Sequence, residues 1–174
     1  MERRANNSLK PIPHRYLTQV GYDSYVAGWL IQALGRTEKF MKFLSQSEAR
    51  HFAENWLPAW SGNNPELLAS FYSDDALYLD PGVPKGIAGK PALLVYFTKL
   101  LSHNPEWVWS QIEGIPLEGG FLNKWLAKIP VGTKIIEVVG VCFVQLDSAG
   151  KIRRNEVYFD RSELLAEIAT QRAP

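Results

Sequence analysis

The chain has 174 residues, 46% of them hydrophobic and 21% charged, with a net charge of +1. That is enough chain for one soluble domain with a substantial core and an added arm, and the near-neutral charge excludes a field that draws nucleic acid or anionic membrane. A single cysteine, Cys142, excludes an internal disulfide and fits a reducing compartment.

Met1 to Asn7 lead into no signal-peptide core. The longest apolar window, Tyr25 to Leu34, is too short to span a bilayer and contains Gly28 and Gln32. A cytoplasmic chain with no membrane partner is expected. Residues 1–20 are polar, with Pro11 and Pro13, and Tyr22 to Leu44 has helical spacing weakened by Gly28 and Gly35. A partly helical N-terminal arm is therefore expected over 1–45 and one domain over 46–174.

Ser45 followed by Glu48 predicts a capped helix start. Phe52, Trp56 and Trp60 share a helical face, and Pro58 ends or kinks that helix near Leu57. Ser61 to Pro65 is a turn, and Pro65 to Phe71 begins a second helix. Asp74 and Asp75 then mark a helix–strand junction, read as solvated or capping. Ala76-Leu77-Tyr78-Leu79-Asp80 alternates as a strand does, with Ala76, Tyr78 and Asp80 on one face. Pro81, Gly82, Pro84, Gly86 and Gly89 form a loop before a helix that starts at Lys90-Pro91. Both strand faces read as buried, so Asp80 looks into an enclosed space. A carboxylate there must be compensated, which makes it a candidate for chemistry.

The second half turns to period two. Strands are predicted over Trp107 to Ile115, Phe121 to Ile129, Lys134 to Leu146 and Lys151 to Asp160, separated by Gly119-Gly120, Pro130 to Thr133 and Asp147 to Gly150. A short amphipathic helix, Arg161 to Gln171, closes the chain. Helices, a strand, a helix and four antiparallel strands make an α+β pattern, a curved sheet wrapped around helices. Six tryptophans fit an aromatic cavity or interface, or bulky core filling.

Phe52-x3-Trp56-x3-Trp60, Phe71-Tyr72-Ser73-Asp74-Asp75-Ala76, Tyr78-Leu79-Asp80-Pro81, Gly86, Gly89 and Gly150-Lys151-Ile152 running to Tyr158-Phe159-Asp160 resemble the nuclear transport factor 2-like superfamily. Within it the SnoaL-like polyketide cyclases and limonene-1,2-epoxide hydrolases are the nearest in pattern, over about Ser47 to Ala169. The resemblance implies a cone-shaped α+β fold, a deep apolar pocket and a homodimer. Asp80 stands before a proline where ketosteroid isomerases of similar pattern place a general base. Tyr78 and Asp80 match the strand from which the epoxide hydrolases present a tyrosine and an asparagine to water.

The departures are extensive. Trp56 stands for the isomerase tyrosine and Cys142 for its protonated aspartate. Leu122 and Lys124 stand for the epoxide hydrolase arginine and aspartate, and Val157 for their second aspartate and the cyclase one. Epoxide hydrolysis is thus not expected, and fold-level likeness cannot restore an activity whose residues are missing.

Strand parity set by Asp80 puts Ala76, Tyr78 and Asp80 inward, with Leu122, Lys124 and Leu126 on the third strand. By alignment the inward set continues with Val138, Gly140 and Cys142, then Asn155, Val157 and Phe159. Asp80 is the candidate general base, Lys124 the stabiliser of the resulting anion, and Tyr78 their helper. Trp56, Trp60, Leu122, Cys142, Asn155, Val157 and Phe159 are the candidate substrate contacts. A buried Asp80–Lys124 salt bridge, or Lys124 reaching to solvent, is the structural alternative.

His14, His51 and His103 lack metal-ligand spacing, and no phosphate loop or dinucleotide fingerprint occurs, so no metal or cofactor is expected. Cys142 reads as a small core residue and Asp160 as a helix cap. Arg153 and Arg154 mark an exposed sheet position or a dimer contact. The expected partner is a small hydrophobic molecule, polyketide-, steroid- or terpene-like, acted on by a cofactor-independent isomerase, cyclase or lyase. Non-catalytic carriage of such a ligand, or a dimerisation module with a filled pocket, are the other readings.

Overall fold

The structure is a computed structural model that describes residues 43–172, so the arm expected over 1–45 lies outside the described residues save for its last three. The first helix, α1 (Gln46–Trp56), opens with the predicted capping box. Glu48 N–H donates to Ser45 Oγ at 3.2 Å, and Ser45 N–H donates to Glu48 Oε2 at 2.8 Å. Pro58 ends the α-helix as expected, and the chain tightens into a 3-10 turn, Leu57–Trp60, before Asn64 caps α2 (Pro65–Ser70).

Strand β1 (Tyr72–Leu79) begins four residues earlier than the alternation indicated. Asp74 and Asp75 therefore belong to an irregular stretch inside the strand, and both are exposed, in place of marking a junction before it. The loop after β1 contains a two-residue strand, β2 (Ile87–Ala88), that no sequence signal marked. Helix α3 (Lys90–His103) follows, then β3 (Val108–Leu117), β4 (Gly120–Val131), β5 (Lys134–Leu146), β6 (Ile152–Phe159) and α4 (Ser162–Arg172).

These strands form one curled, unclosed sheet in the order β2-β1-β6-β5-β4-β3. Only the β1–β6 pairing is parallel. The four strands from β3 onward are joined by short turns, which antiparallel neighbours allow. The return of β6 to β1 lays Asn155 beside Tyr78.

The core lies between the concave sheet face and α1 to α3. Leu93, Phe97 and Leu101 project from α3 at helical spacing and are fully buried, as are Leu68, Tyr72, Phe121 and Val144. Trp56 and Trp60 join them, their rings 6.3 Å apart. Burial of such side chains supplies about 1.5–3 kcal/mol each relative to exposure, which is what holds short helices onto the sheet.

Inward parity on β4 differs from the sequence expectation by one residue. Phe121, Asn123, Trp125, Ala127 and Ile129 are buried, whereas Leu122, Lys124 and Leu126 lie on the other face. The register explains it. Across the ladder from β4, Trp125 opposes Gly140 and Asn123 opposes Cys142, and opposed residues point to the same side. At Gly140 an added Cβ would lie 2.4 Å from Trp125 Cζ2, so the missing side chain is the space the indole occupies.

Candidate functional site

Between the concave sheet face, α3 and α4 is a chamber of about 250 Å³. The helical side contributes Trp56 and Trp60, α3 contributes Tyr96 and Leu100 with Asn104 just past its end, and α4 contributes Leu164 and Ile168. The sheet contributes Tyr78, Trp109, Trp125, Cys142, Asn155, Val157 and Phe159, and Asp80 sits at the wall just after β1 ends. A larger cleft of about 730 Å³ runs between α1 and β3, but it is an open polar groove and draws no group towards Asp80. The smaller chamber is the candidate because it is mostly apolar with few converging polar groups.

Asp80 is half-buried and accepts four hydrogen bonds. Its Oδ2 takes the Tyr78 hydroxyl at 2.8 Å and the Tyr96 hydroxyl at 2.9 Å. Its Oδ1 takes the Gly82 and Val83 amides at 2.5 and 2.9 Å, closing a turn. A Cβ on Gly82 would sit 3.0 Å from that Oδ1, so glycine permits the close approach. Arg161 supplies the nearby cation, with Nη1 donating to the Pro81 carbonyl at 3.1 Å.

Burial first, then the Asp80 charge, holds the Tyr78 phenol well above its ordinary range. The same causes raise Tyr96, with the Arg161 charge opposing them. Both phenols therefore stay protonated and remain donors. One further layer in, Asn155 Nδ2 donates to the Tyr72 hydroxyl at 3.0 Å, and burial outweighs that bond to push Tyr72 up as well.

Lys124 and Leu122 do not line the chamber, and neither the Asp80–Lys124 pair nor a cation at that position exists. The inward position is taken by Asn123, which accepts from Gln111 Nε2 at 3.0 Å and donates to Cys142 Sγ at 3.8 Å. A buried amide with partners at both ends is cheap where an ammonium would be costly. The spacing of Lys124 and Lys128 was the missed signal, since two lysines at even separation on one strand mark its wet face. Tyr96 and Arg161 were also missed. Tyr96 precedes the core residue Phe97 on α3 and Arg161 precedes α4, positions where only tertiary packing brings them to Asp80.

Cys142 is buried, and burial pushes its thiol up to about 12 despite the opposing bond from Asn123. It is a wall residue with no thiolate character at neutral pH. Asp160 caps α4, its Oδ1 accepting from Ser162 N–H at 2.8 Å. Among the described residues no group of His, Cys, Asp and Glu has the geometry to hold a metal, and no helix is long and apolar enough to cross a membrane.

Comparison with solved structures places this architecture. A protein with a ketosteroid isomerase-like fold from Catenulispora acidiphila, solved in complex with trimethylamine, aligns with a TM-score of 0.59 at 15% identity, over 67% of this chain and 91% of its own. A SnoaL-like protein of unknown function from Burkholderia thailandensis aligns at 0.57 and 13% identity, over 68% and 99%. The fold is that of the ketosteroid isomerase-like and SnoaL-like proteins. A SnoaL-like family member from Agrobacterium tumefaciens aligns similarly, at 0.55 and 16% identity over 66% and 98%. No protein-family model and no curated protein matches the chain. At these identities the SnoaL-like likeness is one of fold, and activity has to be argued from the chamber itself.

Proposed function

We propose that this SnoaL-like chain binds a compact, largely apolar molecule in the chamber and isomerises it by proton transfer at Asp80. The observation that carries this reading is the carboxylate on an aromatic wall with two protonated phenols on one of its oxygens. Tyr78 is buried and stays on Asp80; Tyr96 is half-exposed and is the hydroxyl free to turn. When Tyr96 donates to a substrate carbonyl instead, Oδ2 regains a lone pair. Asp80 then takes a proton from the carbon beside that carbonyl. The C–H pair becomes a carbon–carbon double bond and the carbonyl π pair moves onto oxygen, under the Tyr96 hydrogen bond. In a carbonyl compound with a carbon–carbon double bond one position further on, the same proton loss gives a dienolate, and returning the proton to its far carbon shifts that double bond into conjugation, which completes an isomerisation and restores the carboxylate. The volume lies below the roughly 300–1,000 Å³ of drug-sized sites, which favours a one- or two-ring molecule over a four-ring one.

The test is deuterium uptake by cyclohexanone in D2O, followed by NMR. The full-length chain should accelerate exchange beside the carbonyl, and Asp80→Asn should cut the acceleration by roughly 10²–10⁴-fold with the fold intact. A second reading, non-catalytic carriage of the ligand, is favoured by the complete set of four hydrogen bonds on Asp80, which suits a purely structural turn. Binding without any Asp80-dependent exchange would establish it.

The homodimer belongs to the same proposal. The outer sheet face exposes Ile115, Val139 and Tyr158 and also carries Leu122, Leu126 and Phe143. Lys124 lies on it, as does Glu156, which already takes Arg154 and the Tyr158 hydroxyl, so a second copy related by a two-fold axis can set Lys124 beside that cluster.

A further inference from the structure

Among the described residues, three buried side-chain polar atoms have no hydrogen-bond partner: Trp56 Nε1, Trp109 Nε1 and Asn155 Oδ1. All three side chains line the one chamber, Trp109 standing also at the edge of the larger cleft between α1 and β3. Orphaned buried groups are rare in folded proteins, and their gathering on a single cavity calls for an explanation. The Trp56 N–H lies beside the Tyr72 hydroxyl, which can turn to meet it. Trp109 and Asn155 have no such remedy. Around Trp109 stand the rings of Trp60, Trp107 and Trp125, centroids 4.8–5.9 Å away, and an aromatic edge offers an indole N–H no strong acceptor. Asn155 already spends its other amide end on Tyr72, and its strand partners are Val144, whose side chain has no donor, and Tyr78, whose hydroxyl is given to Asp80. Turning the amide over exchanges oxygen for NH2 but still leaves one end facing no partner.

We infer that the ligand of this chamber is a compact oxygenated ring, with one acceptor oxygen for the Trp109 N–H and a hydroxyl for Asn155. A hydroxyl both donates and accepts, so it answers either orientation of the amide. This rests on the small-molecule reading above and narrows it, because a plain terpene or other hydrocarbon would leave both groups without a partner. Trp109 and Asn155 then act as specificity residues that choose among rings of similar size, while Asp80 and the tyrosines do the chemistry.

The full-length chain is titrated with methylcyclohexane, cyclohexanone, the 2-, 3- and 4-hydroxycyclohexanones and tetramethylammonium, read by calorimetry and tryptophan fluorescence. The best hydroxyketone should bind roughly tenfold tighter than cyclohexanone, and cyclohexanone roughly tenfold tighter than methylcyclohexane. Trp109→Phe removes the N–H together with one ring of the indole, so the comparison is made between ligands within the variant. It should erase the preference for the ketone over the hydrocarbon, whatever the enlarged chamber does to methylcyclohexane affinity itself. Asn155→Leu should erase the preference for the hydroxyketone over the ketone; if it fails to fold, the Trp109 variant decides alone. Equal affinity for methylcyclohexane and the oxygenated rings overturns the inference while leaving the small-molecule chamber standing. Tetramethylammonium binding more tightly than every ring overturns it in favour of an aromatic cage for a cation. If no probe binds, the chamber reading falls and this inference with it.

Discussion

Replacing Gly140 by alanine tests the register on which the chamber depends. The new Cβ would stand 2.4 Å from Trp125 Cζ2, 2.5 Å from Cη2 and 2.8 Å from the Phe159 Cβ. Non-bonded carbons settle at about 3.5–4.0 Å, so the indole has to withdraw by more than an ångström. It has nowhere to go, being packed edge-to-face against Trp109 at 4.8 Å on one side and Phe159 at 5.6 Å on another. Overpacking of this kind costs about 1–3 kcal/mol. For a chain of this size that lowers Tm by roughly 2–4 °C per kcal/mol. Thermal unfolding followed by circular dichroism gives the shift. A second substitution, Trp125→Leu, makes it specific: on the Gly140→Ala background it should cost measurably less than on the native one, because the two shortest contacts go with the ring and only that to Phe159 Cβ stays. Additive losses, or a Gly140→Ala variant as stable as the parent, would mean that Trp125 does not face Gly140. The assignment of Lys124 to the outer face would then be wrong too.

Alkali should destabilise the fold. Folding raises the Cys142 thiol from its ordinary 9.0 to about 12, so the native chain holds a proton that the unfolded chain releases. Its contribution is complete below pH 9 and is lost as pH rises from there towards 12, with the buried Tyr72 and Tyr78 and the half-buried Tyr96 adding to the fall above pH 10. Urea unfolding at several pH values should show the decline, and Cys142→Ala should remove its earliest part; a flat profile from pH 8 to 10.5 would contradict the burial. On the outer face, Val139→Glu introduces a charge at a side chain 52% exposed, so it should leave the monomer's stability unchanged. Analytical ultracentrifugation should show it dissociating the proposed dimer, and a wild-type chain that sediments as a monomer at all concentrations would remove that proposal.

Much of the architecture follows from local chemistry. Ser45 with Glu48, Pro58 and Asn64 punctuate the helical segment through caps and a missing amide, effects that act within four residues. Strand β5 was legible over Lys134–Leu146 because a long β-branched run has no competing period. On β1 the alternation that aligned Tyr78 with Asp80 was correct, since a strand leaves no other placement for residues two apart. The β4 face was not legible. Its two faces carry Phe121, Trp125 and Ile129 against Leu122, Leu126 and two lysines, and apolar content alone ranks them closely. Phase along a strand is a choice of one residue, and it is settled across the ladder by where the partner strand leaves room.

By itself the sequence determined an α+β chain with a curled sheet and an aspartate ending its first strand beside a proline. The tertiary structure alone decided what surrounds that aspartate. Tyr96 arrives from a helix, Arg161 from beyond the last strand, and the lysine that parity had assigned to the wall faces outward because Gly140 makes space for Trp125 instead. Local rules reach only a turn or a strand period along the chain, whereas a site is assembled from residues whose separation in sequence no such period spans.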